Sequence, residues 1–337
     1  MKQADPPGDN VQLDEAVLAS AFFFPIGSGR PSLWVETVKI VVQLEDGSTT
    51  EFFKKGASGP IGLDMMKGAF EAERALHECI PDRVPKLVAW GTHANDPNTH
   101  FYLCEFVDMY DEVPSPSDWA TAVSQLHLAS MGKSPTGQFG FHVTTHLANV
   151  PINDAWNSSW AAFWAQQTKS LFDREESVNG PDETLAELRT AYFEKAIPRY
   201  LGPLESEGRS ITPCLVHSDL WPGNIKPRTS TDELCLFDAC AYWGHNEADL
   251  AVCYNPRYKL GQPCLEEYKD LVTPSDPSTD FHERNALYAM KYHVLLSIMY
   301  SDNRAFREKL IEELRLLLRK IDTESSDPKD LDSASRL

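Results

Sequence analysis

His217-Ser218-Asp219-Leu220-Trp221-Pro222-Gly223-Asn224, followed by the apolar run Leu234-Cys235-Leu236-Phe237 that ends on Asp238, decides how this chain is read. An acid, an amide five residues later and a second acid closing a short β-like run are the donors that phosphoryl transfer from Mg-ATP requires. One carboxylate orients and deprotonates the attacking hydroxyl, while the amide and the other carboxylate hold magnesium against the phosphates. Asp219 is therefore the candidate catalytic base, and Asn224 and Asp238 are the candidate Mg2+ ligands. His217 is placed to brace the loop through its ring nitrogens rather than to act as a base. Trp221 is either a wall beside the acceptor, and so a substrate contact, or a core residue. A loop whose acids merely cap helices is the alternative, and the strand-like run before Asp238 argues against it.

Upstream, Trp34 to Leu44 is rich in β-branched residues and reads as a strand. A turn at 45–48 leads to a partner strand, Thr49 to Lys55. Residues 64–79 are helix formers, and 85–90 and 101–107 complete a small sheet. Residues 1–10 read as a loose start, and the pattern of 11–24 suggests a short helix. A lysine on the strand ending at 55 is expected to hold the ATP phosphates. Strand alternation sets Phe52 and Lys54 on one face and Phe53 and Lys55 on the other. Lys54 is the preferred phosphate lysine, with Lys55 as runner-up. Gly27-Ser28-Gly29, just before these strands, is a candidate phosphate-binding loop, because glycines admit close backbone approach. A plain turn is the competing reading.

A Pro/Ser/Asp-rich stretch at 111–117 marks a boundary, beyond which helical patterns dominate at 119–131, 156–173, 183–201, 286–300 and 305–321. The reading is an α+β, bilobal chain. A nucleotide-binding N-lobe spans 1–108, a mainly helical C-lobe spans 109–322, and a polar, disordered tail occupies 323–337. The segment after Asp238 adds His245, a candidate substrate contact, and Asp249, expected to bond backbone amides of the 217–224 loop.

Composition narrows the partners. The 337 residues carry a formal net charge of −19, so a nucleic-acid or anionic-membrane partner is disfavoured. Seven cysteines, odd in number and without a C-x-x-C pair, look like reduced thiols. The N-terminal residues carry no apolar signal core, and cytoplasmic placement is the expectation. His142 and His146 stand four apart but lack the glutamate of a zinc-protease helix.

The D-x-x-x-x-N spacing matches the protein-kinase catalytic loop, while Trp221 and the missing arginine before the acid do not. The 217–224 block, together with Tyr242-Trp243-Gly244-His245-Asn246-Glu247-Ala248-Asp249-Leu250-Ala251, resembles the fructosamine kinase (ketosamine-3-kinase) family. Phe139-Gly140-Phe141-His142-Val143-Thr144-Thr145, with Trp156 and Trp160, is similar to a further segment of that family. The resemblance covers roughly residues 20–320. It implies a protein-kinase-like fold and ATP-dependent phosphorylation of the sugar 3-hydroxyl of small-molecule or protein-bound ketosamines, which leads to deglycation. It also implies adenine binding at a hinge of Glu105, Phe106 and Val107. Ser218 stands where the family has glycine, and Ala239-Cys240 where it has Pro-Ala. The helix glutamate that should hold the phosphate lysine falls at Ala69, with Glu73 one turn further as the substitute and Glu71 pointing elsewhere. A kinase for another hydroxyl, such as an aminoglycoside or amino alcohol, and a weakly active nucleotide-binding pseudokinase are the alternatives.

Overall fold

The computed structural model describes residues 8–13, 22–25, 35–44 and 46–324. The glycine-rich segment Gly27-Ser28-Gly29 and the tail beyond 324 lie outside them. Six strands form one sheet: β1 (Gly8–Leu13), β2 (Phe22–Pro25), β3 (Glu36–Gln43), β4 (Thr49–Ser58), β5 (Leu87–His93) and β6 (Thr99–Glu105), in the order β1-β5-β6-β4-β3-β2. All pairings are antiparallel except β1 with β5, which is parallel. The short helix anticipated over 11–24 is not what its described ends adopt. Residues 11–13 and 22–25 are edge strands instead. The reason is tertiary: an exposed sheet edge offers hydrogen bonds along its whole length, and the aromatic run Phe22-Phe23-Phe24 favours extended chain over helix.

Helix α1 (Gly59–Cys79) starts at Ser58 with Pro60 in its first turn, where a missing N–H costs nothing. Met65, Met66 and Phe70 on one of its faces pack on Leu87, Trp90, Tyr102 and Cys104 of the sheet, forming the smaller of two hydrophobic cores. Its opposite side approaches the helical half so closely that a Cβ at Gly68 would sit 2.5 Å from the Thr144 carbonyl oxygen. Glu71 completes that junction by accepting from His142 Nε2 at 2.7 Å.

The larger core belongs to the helices: α2 (Pro116–Ser130), α3 (Trp160–Asn179), α4 (Glu183–Ala191), α5 (Ile197–Leu201), α6 (Gly261–Leu271), α7 (Phe281–Met299) and α8 (Ala305–Glu324). The single helix expected over 183–201 is widened by a π segment, Tyr192–Ala196. Pro198 lies just beyond it and cannot donate an N–H to the ladder. Three antiparallel pairs of short strands punctuate this half: His146–Leu147 with Val150–Pro151, Cys214–Val216 with Tyr242–Gly244 and Ile225–Pro227 with Leu234–Leu236. The last two pairs carry the 217–224 loop and Asp238. Among the described residues no helix is long and apolar enough to cross a membrane.

Candidate active site

The 217–224 loop leaves the buried strand Cys214–Val216 with its backbone already committed. Asp249 Oδ2 accepts from the His217 N–H at 2.7 Å and Asp249 Oδ1 from the Ser218 N–H at 2.6 Å, as the sequence suggested. His127 Nε2 also lies 3.1 Å from the same carboxylate. His217 braces the loop from both ring nitrogens. Nδ1 accepts from the Asp219 N–H at 3.2 Å, and Nε2 lies 3.1 Å from the Phe237 carbonyl. Burial holds this imidazole below its usual pKa, and so neutral, against the pull of Asp249. Ser218 has φ +66° and Asp238 φ +59°, left-handed conformations that cost a β-carbon-bearing residue about 1–3 kcal/mol each. Strain of that kind survives only where the surroundings fix the chain, and two further bonds do so here. Phe237 donates to the Asn224 carbonyl and Cys240 to the His217 carbonyl, both at 3.0 Å.

This scaffold brings the three expected residues together. Asn224 Nδ2 donates to Asp219 Oδ2 at 2.8 Å and to the Asp219 carbonyl at 3.0 Å, and Asp238 is close enough to repel Asp219. Burial, reinforced by that repulsion, pushes the Asp219 carboxyl up to about 7. Burial works on Asp238 in the same direction, but the adjacent Lys55 ammonium outweighs it and holds that carboxyl below its usual value. Two neighbouring acids are thus driven apart, one ready to take a proton near neutrality and one fixed as an anion.

Lys55, not the preferred Lys54, is the lysine that enters this site, where it forms an ion pair with Asp238. Alternation along β4 does set the two lysines on opposite faces, and the cavity lies on the Lys55 face. Lys54 points away from the cavity, and partial burial lowers its pKa against the opposing pull of Glu36. The acid of α1 that reaches the pair is Glu73. It is fully buried, and its Oε1 accepts from the Ala239 N–H at 3.1 Å, next door to Asp238. Its Oε2 has no partner among the described residues. Burial pushes this carboxyl up to about 8, against the Ala239 bond and the Lys55 charge. Among the described residues no ion pair joins Glu73 to Lys55, so Glu73 meets the turn after Asp238 and not the lysine itself. Glu71 does point elsewhere, toward His142.

These groups face a cavity of about 570 Å³, into which Val35, Lys55, Asp219, Asn224, Asp238 and Trp221 project. Trp221 is a wall rather than core, 39% exposed, with its ring 6.0 Å from Tyr258. The ring folds over Gly223 so closely that a Cβ there would lie 2.0 Å from it, so glycine is the residue that fits. His245 is a correction. It is fully buried in the aromatic core, bonded to Tyr288 Oη at 2.8 Å and Ser275 Oγ at 2.9 Å, and reaches no acceptor. Its motif companions are structural as well. Glu247 makes a buried bidentate pair with Arg284 at 2.7 and 2.9 Å, and Asp249 anchors the loop. The hinge residues Glu105, Phe106 and Val107 do not line the cavity. Glu105 and Phe106 use their N–H groups on the Lys86 and Glu51 carbonyls. No bond from the Val107 N–H is seen among the described residues.

One participant gave no sequence signal. Lys291 of α7 is 1% exposed, donates to Ser218 Oγ at 2.7 Å and lies 4.8 Å above the Tyr242 ring. Tyr292 beside it donates to the Ser218 carbonyl at 2.9 Å. The Lys291 charge also acts on Asp219 and Asp154. Lysine in an apolar helix looks like an exposed residue, and only the fold shows that it lies beneath the loop.

Known proteins resemble this arrangement. A family profile described as fructosamine kinase matches residues 31–319. A chloroplastic protein-ribulosamine 3-kinase of Oryza sativa is 27% identical over 271 residues, 80% of this chain and 74% of the relative. A ketosamine-3-kinase of Mus musculus is 35% identical over 116 residues, 34% of this chain and 35% of the relative. A candidate fructosamine-3-kinase of Thermobifida fusca superimposes with a TM-score of 0.66 at 22% identity, covering 89% of this chain and 94% of the other. An aminoglycoside phosphotransferase solved with AMP-PNP and hygromycin B superimposes with a TM-score of 0.59 at 11% identity, covering 90% and 97%. The fold is accordingly protein-kinase-like.

Proposed function

The chain belongs to the fructosamine kinase family, and we propose that it transfers the terminal phosphoryl group of ATP to the sugar 3-hydroxyl of a ketosamine. The relatives named for ribulosamine and ketosamine phosphorylation support the acceptor class. The observation that carries the reading is the group of Asp219, Asn224, Asp238 and Lys55 around one cavity, with its two carboxylates pushed apart in pKa.

In this reading Asp219 accepts the proton of the attacking hydroxyl. Its elevated pKa suits it to that task near neutral pH, and Asn224 holds its Oδ2 in place. Asp238 and Asn224 offer the hard oxygen donors that suit magnesium, which when bound would offset the charge of the phosphates. Lys55 supplies the cation for the nucleotide phosphates and is held by Asp238, while the buried Glu73 braces the neighbouring turn at Ala239. Trp221 flanks the acceptor. For adenine the proposal keeps the hinge, with the Val107 N–H as the donor left over there. The glycine-rich 27–29 segment remains the proposed phosphate loop. The same proposal assigns nucleotide binding to 1–108, metal and acceptor binding to 109–322, and a tail role to 323–337. For location the proposal is the cytoplasm, a reducing setting in which the mostly buried cysteines would stay as thiols.

The test is ADP release from Mg-ATP with ribulosyl-lysine and fructosyl-lysine as acceptors. The reading requires release above the acceptor-free background with at least one of them. Background release with both would refute it.

A further inference from the structure

We propose that the acceptor end of the cavity recognises a carboxylate carried next to the ketosamine, held by Arg257 and Lys259. The inference rests on the kinase reading above and names its acceptor more closely. A 3₁₀ turn, Pro256–Tyr258, capped by the Asn255 side chain on the Arg257 N–H at 3.0 Å, delivers Arg257, Tyr258 and Lys259 in succession to the cavity lining.

Tyr258 fixes which end this is. Its ring packs against Trp221 on the wall beside Asp219, and its phenol is pushed up by burial and then by the Asp219 charge. Lys55, by contrast, enters from the sheet. The turn is therefore on the hydroxyl-acceptor side of Asp219. Both cations are exposed, and neither side chain meets an acid among the described residues. In a chain with 50 acidic and 31 basic residues, two unpaired neighbouring cations on one cavity wall are out of keeping with the surface around them. Such a wall repels a polycationic acceptor and attracts an anionic one. A guanidinium grips a carboxylate with two parallel bonds and an ammonium adds a point charge, while the exposed Trp221 face offers an apolar surface to the sugar. The carboxylate has two sources with the same chemistry: the α-carboxylate of a free glycated amino acid, or an acidic side chain flanking a glycated lysine in a polypeptide.

The experiment measures ADP release at saturating Mg-ATP with two acceptor pairs. One pair is the ribulosamine of glycine against that of glycinamide. The other is a ribulosyl-lysine peptide flanked by glutamates against the same peptide flanked by glutamines. The carboxylate member of at least one pair is expected to have a kcat/KM about tenfold higher, through KM, with the preference shrinking as salt rises. In the Arg257→Ala/Lys259→Ala variant that preference collapses and the KM for ATP does not move. Discrimination in the glycine pair alone assigns a free amino acid, and in the peptide pair alone an acidic sequence context; both support the proposal. Equal turnover within both pairs, or a variant whose defect lies in the KM for ATP, overturns it and leaves the kinase reading standing. No acceptor-dependent ADP from any of the four compounds overturns the kinase reading and this inference with it.

Discussion

Lys55 of β4 forms an ion pair with Asp238, 183 residues further along the chain, and so ties the sheet to the strained turn that follows the strand Leu234–Leu236. Lys54, its neighbour, faces the other side of the same strand. The two therefore give a direct comparison. Lys55→Met should lower kcat/KM for ATP by about 10²-fold or more, as expected when a cation aimed at transferring charge is removed. Lys54→Met should stay within about threefold, since it loses only a partly buried surface charge. Steady-state kinetics on the two variants checks this, and a larger loss at Lys54 would return the phosphate role to the other face.

Asp249 accepts two backbone N–H bonds at the entry to the 217–224 loop and contacts His127. Asp249→Asn exchanges an anionic acceptor for a neutral amide with one acceptor oxygen. The expected cost is on the order of 2–4 kcal/mol in stability, read from denaturant unfolding, because buried donors lose charge-assisted partners. Turnover should fall as well, since Asp219 directly follows the loosened backbone of His217 and Ser218. An unchanged unfolding midpoint would show that Asp249 does not carry the loop.

Lys291 and Ser218 should behave as a coupled pair. Ser218→Gly relieves a positive φ but strands a buried ammonium, and Lys291→Met removes the charge while leaving the hydroxyl unmatched. A double-mutant cycle on thermal stability should show an interaction of about 1 kcal/mol or more, as for other contacting buried groups. Additive effects would contradict the contact.

His245 makes acid stability testable. Burial, the main influence, lowers its pKa in the fold from 6.5 to about 4, so the unfolded chain binds its proton first as the pH falls. Its contribution is complete above pH 6.5 and is lost progressively toward pH 4, up to on the order of 3 kcal/mol. The pH dependence of Tm across that window should be flatter in His245→Gln than in the parent. Equal slopes would mean that the histidine is protonated inside the core.

The two-part fold was legible because its signals are local. β-branched residues and a turn marked β3 and β4, helix formers marked α1, helical periodicity marked α2, and Pro/Ser-rich punctuation marked the crossing between halves. The acid–amide–acid group was legible from its spacing and from the apolar run before Asp238, while the strand pairs that hold Asp219, Asn224 and Asp238 were not. Choices between faces were not. Lys54 and Lys55 differ only in which side of the sheet meets α1, and nothing within β4 encodes that. His245 sits in a motif block, yet it serves the core through Tyr288 and Ser275, contacts made 43 and 30 residues away. Lys291 and the Arg257–Lys259 turn belong to segments whose patterns are ordinary until the fold sets them against the 217–224 loop.

The most direct test of the central claim follows the label from γ-radiolabelled ATP into ribulosyl-lysine in the presence of magnesium, comparing the parent chain with Asp219→Asn. The account predicts label in the acceptor, on the 3-hydroxyl, with the parent and its loss in the variant. An unlabelled acceptor under conditions where the parent binds Mg-ATP, or equal labelling by the variant, would contradict it.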